Sequence, residues 1–269
     1  MNLEMVVSRL KPILHVVRLT STPILQQLQW EEALLRADGR NWCILNQGSL
    51  PAIVMGISGQ IDKLIQQNKL EEAPLSIIRR FSGGGTVVVD ENTLFVTLIC
   101  QSEALSIPPF PRPIMEWTAR EIYSPLFKDH PFQLQENDYV ISGKKWGGNA
   151  QSIIKGRWLH HSSLLWDYRS ENMDYLLIPT KMPAYRQGRS HTDFLCRLSD
   201  YWAHPNDLLD QIIQQLSCHF EVREKQKEEL ECISALPHRK ATHLVEIKTL
   251  LKGTGHCAIN TVYTSGSAP

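Results

Sequence analysis

Two short blocks of this 269-residue chain carry side chains suited to anion chemistry. The first, RRFSGGGTVVVD, spans residues 79–90. Three consecutive glycines lose more backbone freedom on ordering than any other residues, so something must offset that cost. One answer is a tight turn between two strands. The other is a ligand lying against the backbone itself, with N–H groups and a guanidinium as donors to an anion. Arg79 and Arg80 are the candidate guanidiniums, and Ser82, Gly83, Gly84 and Gly85 the candidate cradle. The second block, NDYVISGKKWGGNAQSIIKGRWLHHSSLLWDY, holds the pairs Lys144-Lys145, Gly147-Gly148 and His160-His161. Successive strand side chains point to opposite faces, so only one lysine and one histidine of each pair can enter a common pocket.

The elements that must position these residues read mainly as strands. A Rossmann fingerprint or a P-loop runs from a strand into a helix, whereas β-formers follow these glycines, and neither GxGxxG nor GxxxxGK[ST] is present. Leu75 to Ile78, Val87 to Val89 and Thr93 to Cys100 read as strands, which puts SGGG at a strand-to-strand corner. Upstream, Val6 to Leu19 can begin a sheet. Thr22-Pro23 opens a helix that carries Leu25, Leu28, Ala33 and Leu34 or Leu35 at helical spacing and stops near Asp38-Gly39. Trp42 to Leu45 and Ala52 to Ile57 read as an antiparallel pair joined at Gln47-Gly48-Ser49, and Ile61 to Leu70 as a short helix. Beyond the prolines of SIPPFPRP, a helix is expected from Ile114 to Tyr123. A meander follows, over Tyr139 to Ile141, Ala150 to Ile154 and Trp158 to Trp166, with turns at Gly143 and Lys155-Gly156. A loop then runs to Ser190, Asn206 to Phe220 forms an amphipathic helix, and Glu221 to Glu231 reads as charged helix.

Composition narrows the classes. Twenty-eight basic residues balance 28 acidic ones, so no global field draws the chain to nucleic acid or to an anionic membrane, and any anion site must be local. No apolar run approaches the roughly 20 residues that span a bilayer. The apolar, slightly basic start contains Glu4 and Pro12 and lacks a small-residue cleavage site, which argues against a secretory signal and leaves room for a weak organelle address. Six cysteines without CxxC spacing argue against a zinc site or a disulfide framework and for a reducing, intracellular compartment, cytoplasmic or mitochondrial.

Taken together, RRxSGGGxV followed by Asp90 and Asn92, then ND, GKK, GxA and LHH, resembles the lipoate-protein ligase and lipoyl/octanoyl transferase family, whose catalytic domain is similar to that of biotin-protein ligases. The helix LQWEEALL and the strand PAIVMGIS share in the resemblance, which covers roughly residues 20–220. It implies an α/β (α+β) fold with a mixed, largely antiparallel sheet, a smaller sheet and flanking helices. It implies a single catalytic domain over residues 1–237, a weakly structured tail over 238–269 ending in TSGSAP, and no C-terminal accessory domain. It assigns catalysis to Lys145, whose ammonium would stabilise charge as the acyl group is attacked. It assigns acyl-adenylate binding to Arg79, Arg80, Ser82, Gly83, Gly84, Gly85, Asp90, Asn92, Gly147, Gly148, Ala150 and His161. Val89 stands where many members have histidine.

The activity so implied is attachment of lipoyl, through lipoyl-AMP made with ATP and Mg²⁺, to a lysine of a lipoyl-carrier domain. The carrier would belong to a 2-oxoacid dehydrogenase or a glycine-cleavage H-type protein, and the acid would be lipoic or octanoic. Alternatives are a transferase that takes its acyl group from a protein through an acyl-cysteine, and a noncatalytic relative. The chain has no cysteine between Cys100 and Cys196, and the places where two transferase classes carry theirs, around His130 to Phe132 and Ile178 to Thr180, lack sulfur. That favours adenylate chemistry. Asp90, Asn137 and Asp138 are chemically suitable oxygen ligands for Mg²⁺, and the metal site stays unassigned.

Overall fold

Apolar strands and amphipathic helices resolve into two sheets. The computed structural model describes residues 10–178 and 182–246. It opens with β1 (Ile13–Thr20), α1 (Ile24–Ala37), β2 (Asn41–Gln47) and β3 (Ala52–Met55), then two short helices, α2 (Ile61–Leu64) and α3 (Gln67–Glu72). β4 (Ser76–Arg79), β5 (Val87–Val89) and β6 (Thr93–Gln101) follow, and α4 (Pro111–Trp117) runs on through a π-helical turn to Tyr123. The meander is β7 (Phe132–Gln135), β8 (Asp138–Ile141), β9 (Lys144–Ile154) and β10 (Arg157–Leu165). After it come α5 (Ser170–Met173), α6 (His191–Phe194), α7 (Pro205–Ser217), β11 (Glu221–Glu224), α8 (Lys227–Ser234) and β12 (His243–Leu244).

The large sheet has the order β11-β1-β2-β6-β10-β9-β8-β7, and the small one β12-β4-β3-β5. β1 lies parallel to both β2 and β11, and the other large-sheet pairs are antiparallel. Strand alternation divides the core. Trp158 faces α4 and α7, packing with Ile114, Trp146, Leu208 and Ile212, while Leu159 faces α1 and α8, packing with Leu34, Trp42 and Leu230. Each such fully buried aliphatic side chain contributes roughly 1.5–3 kcal/mol relative to exposure. The same alternation sends His160 toward the first layer and His161 toward α1.

Three expectations are corrected. β2 and β3 are not a hairpin: both edges of β2 are taken by β1 and β6, so the chain turns at Gly48 (φ +81°) and enters the other sheet. Residues 61–70 do not form one helix, because Ile65 breaks the run to bridge Leu176. Glu221–Glu224 is a strand rather than helix. Its charges face outward from a sheet edge, Arg223 pairing with Glu221 and Glu224 with Arg18, so composition disguised it. In the segment expected as a weakly structured tail, Ala241 and Thr242 donate their N–H groups to the Glu32 carboxylate at 2.9–3.0 Å, and His243–Leu244 pairs with β4. The chain start through residue 9, the loop residues 179–181 and the TSGSAP end lie outside the described residues.

Candidate functional site

A break in the β9 ladder builds the site. Tyr139 pairs with Gly147 and Val140 with Lys145, so Trp146 is an extra residue on β9, a bulge that re-aims its neighbours. Trp146 is fully buried in the core. Lys145 and Gly148, three apart, then share the face of a cavity of about 520 Å³. A Cβ on Gly148 would lie 3.3 Å from the Lys145 ammonium, so the glycine makes room for that side chain. Lys145 Nζ donates to Asp138 Oδ1 at 2.8 Å, and the Tyr185 hydroxyl donates to Asp138 Oδ2 at 2.8 Å. Lys144 is exposed.

The glycine corner combines the two readings of its sequence. Arg80 is buried, which pushes its pKa down to about 10, still a cation at neutral pH. Its guanidinium donates to the carbonyls of Gly83 and Gly85, both at 2.8 Å, and thereby shapes the loop. Gly84 (φ +103°) is required by that approach, since a Cβ there would sit 2.7 Å from Arg80 Nη2. Gly85 borders the cavity with open space where its side chain would be. Arg79, Ser82 and Gly83 do not border the cavity. Arg79 donates to the carbonyls of Ile57 and Gly59, the Ser82 carbonyl accepts from Ile57 N, and that of Gly83 serves Arg80.

Among the other expected residues, Ala150 and His161 border the cavity, while Asp90, Asn92 and Gly147 do not. Asp90 accepts from Asn92 N at 2.9 Å and Asn172 Nδ2 at 2.7 Å, fixing a turn, and burial pushes its carboxyl up from the usual value. The Asn92 carbonyl accepts from Trp166 N and Asp167 N. Gly147 faces the core, where a Cβ would meet Leu164 and Tyr139 at 3.1–3.2 Å. His161 Nδ1 lies 3.0 Å from both oxygens of Glu31, which is fully buried on α1. His160 is bound by Tyr139 OH and Gln151 on the other side, and burial holds its pKa down to about 3.

Glu31, Tyr185, Arg186 and His191 belong to the site, and sequence reading did not nominate them. Glu31 carried a signal: it is an acidic residue on the inward stripe of α1, between Leu28 and Leu35, where an unpartnered carboxylate would be costly. Tyr185 and Arg186 sit in a single 3₁₀ turn (Ala184–Arg186), within a segment whose sequence has no periodicity. Arg186 is buried, donates Nε to the Arg189 carbonyl, and leaves Nη2 unpaired at the cavity. His191 Nε2 is likewise unpaired, and burial together with the Arg186 and Lys145 cations lowers its pKa.

Cys196 N donates to the Lys145 carbonyl at 2.9 Å, a proximity that sequence distance hid. Its sulfur belongs to the core, and burial raises the thiol to about 11, the opposite of what a nucleophile needs. Among the described residues, no group of three or more His, Cys, Asp or Glu side chains could hold a metal ion, and no helix is long and apolar enough to cross a membrane. A second, more open depression of about 400 Å³, bordered by Gly39, Gln101, Lys155 and Arg157, contains none of the expected residues.

The sequence profile described as Lipoyl protein ligase A/B catalytic domain matches residues 23–221. The chain belongs to this family. Within the lipoyl ligase family, it is 33% identical over 216 residues to a Plasmodium falciparum protein named inactive lipoate–protein ligase 2, covering 65% of this chain and 55% of that one. It is 28% identical over 123 residues to the lipoate-protein ligase LplJ of Bacillus subtilis, covering 44% and 34%. The chain therefore spans about half or less of the length of these curated relatives. Its fold is that of a lipoate-protein ligase A solved with ATP, at a TM-score of 0.68 and 15% identity over 84% of this chain and 93% of that one. It is also that of a Plasmodium falciparum protein solved with lipoate, at a TM-score of 0.65 and 17% identity over 83% and 69%.

Proposed function

We propose that this chain transfers a lipoyl group from lipoyl-AMP to a lysine of a lipoyl-carrier domain. The observation that carries the reading is the Lys145 ammonium, held at the cavity by Asp138 and given room by Gly148. A cation fixed there meets the negative charge that develops on the acyl oxygen and phosphate as the carbonyl is attacked. Gly85, open to the cavity, lets an acyl-adenylate approach the backbone. The cavity volume lies in the range of small-molecule sites.

ATP is the source of the adenylate in this reading, by analogy with the related fold solved with ATP. Mg²⁺ would be held chiefly by triphosphate oxygens, because both Asp138 oxygens are taken by Lys145 and Tyr185 and those of Asp90 are spent on its turn. The acceptor is a carrier domain of a 2-oxoacid dehydrogenase or glycine-cleavage H-type protein, within the cytoplasm or mitochondrion. An acyl-cysteine route is disfavoured by the buried, core-facing Cys196 thiol.

The test is intact-protein mass measurement of an unmodified carrier domain after incubation with the chain and preformed lipoyl-AMP, beside a reaction with lipoate, ATP and Mg²⁺. A lipoyl mass gain from the adenylate is expected. A competent carrier that gains no mass overturns the transferase reading. A second reading, a relative that binds without catalysing, is favoured by the name of the Plasmodium falciparum relative. It predicts carrier or lipoate binding with no gain of mass in either reaction.

A further inference from the structure

Most groups at the cavity are already committed. Lys145 is paired with Asp138, the second Asp138 oxygen is taken by Tyr185, and the Arg80 guanidinium serves the glycine carbonyls. The two cations can receive negative charge, but none of these groups is free to take a proton. Forming an amide from a lysine amine releases one, since the nitrogen that attacks carries one hydrogen more than the amide nitrogen that results. His161 is placed differently. The Glu31 carboxylate, fixed by Gln27 Nε2 and the Thr97 hydroxyl at 2.8 Å each, receives the His161 Nδ1–H at 3.0 Å. That contact sets the tautomer and leaves the lone pair on Nε2, on a side chain that borders the cavity.

The geometry points to His161 as the acceptor of the proton released by the attacking amine, with Glu31 as the residue that positions its ring; the inference rests on the transfer reading above. In the step, the lysine nitrogen forms a bond to the acyl carbon and one N–H proton passes to His161 Nε2. The bond from acyl carbon to phosphate oxygen breaks, and its electron pair leaves with AMP. The imidazolium is stabilised by the Glu31 carboxylate and afterwards gives its proton to water. This is the arrangement of a general base oriented by a buried acid.

His191 is the competing base. Burial and the Arg186 and Lys145 cations weaken it as an acceptor, against a smaller opposing effect of Asp174, whereas His161 contacts a carboxylate at 3.0 Å. The groups facing His161 are Glu31 from α1, Thr97 and the Phe95 ring from β6, and Ala150 from β9. Arg80 acts electrostatically on Glu31, His160 is its neighbour on β10, and Lys145 shares the cavity.

The experiment is single-turnover transfer from preformed lipoyl-AMP to the carrier domain across pH for the parent, His161→Ala, Glu31→Gln and His191→Gln, each checked by circular dichroism. Ratios to the parent cancel the ionisation of the carrier lysine itself. His161→Ala is expected to lose about 10²- to 10⁴-fold and the acid limb of the profile, and added imidazole to restore rate with its own pH dependence. Glu31→Gln should lose about tenfold or more and move the limb to lower pH, because the carboxylate that favours imidazolium is gone. His191→Gln should keep the limb. A folded His161→Ala with the parental limb, no response to imidazole, or a limb that vanishes in His191→Gln overturns the proton role alone. A parent that transfers nothing overturns the transfer reading with it.

Discussion

Lys145 and Gly148 lie on the same face of β9 although they are three positions apart, because Trp146 is taken out of the ladder and into the core. The ammonium lies 3.3 Å from where any other residue at 148 would place its Cβ, so a larger side chain must push it aside. Gly148→Val should therefore leave the fold largely intact, since the far end of a flexible lysine can move. Displacing the cation by an ångström or so should cost roughly 10²-fold in single-turnover transfer from lipoyl-AMP. Gly148→Val that transfers at the parental rate would show that this placement is incidental.

Lys145→Met keeps much of the stem volume and removes the donor, and loss of one such preorganised contact typically costs about 10²- to 10³-fold in rate. Lys144→Met, at an exposed position, should cost little. Parallel single-turnover measurements on the two folded variants supply their own control. If both retain the parental rate, the assignment of Lys145 is wrong.

The glycine corner predicts a split between stability and binding. Gly84→Ala meets the Arg80 guanidinium at 2.7 Å on a left-handed backbone and should lose about 1–3 kcal/mol. Gly85→Ala meets nothing, so its stability should change by no more than about 0.5 kcal/mol, while its methyl enters the cavity and raises KM for lipoyl-AMP. Urea midpoints and steady-state kinetics separate the two, and equal urea midpoints for both variants would contradict the structural role given to Gly84.

His160 links stability to pH. Its pKa is lowered from 6.5 to about 3 by burial, so the unfolded chain binds a proton below pH 6.5 that the folded chain refuses. Its contribution is fully present above pH 6.5 and drains away toward pH 3, at roughly 1.4 kcal/mol per unit for this group alone. His160→Gln should flatten that part of the stability profile. Urea denaturation at several pH values checks it, and an unchanged slope would mean that another group governs acid sensitivity.

The glycine corner, the meander and α7 were legible because each is a local pattern: β-branched runs beside glycines, alternation between turns, and apolar residues at helical spacing. What escaped depends on distant partners. The split of β2 from β3 follows from which edges β1 and β6 occupy, which no local window contains. Strict alternation correctly separates Lys144 from Lys145, yet it cannot place Gly148 beside Lys145 without knowledge of the bulge at Trp146. Motif reading also placed Asp90, Asn92 and Gly147 at the ligand, where the structure uses them for a turn, a loop carbonyl and core packing. Tyr185 and Arg186 lie in a segment with neither periodicity nor motif, so only folding brings them to Asp138 and the cavity.

The pairing of β12 with β4 makes Pro237 a misleading place to cut the chain. Removing the residues beyond it would strip the Glu32 carboxylate of the Ala241 and Thr242 amides and take the Thr242 hydroxyl from Phe81 N. The strand leading into Arg80 and the glycines would become an open edge. A fragment trimmed by composition alone would thus be inclined to self-associate, with faster amide exchange in Ile78 to Phe81, and loss of its activity would report on the missing strand rather than on the chemistry of the site.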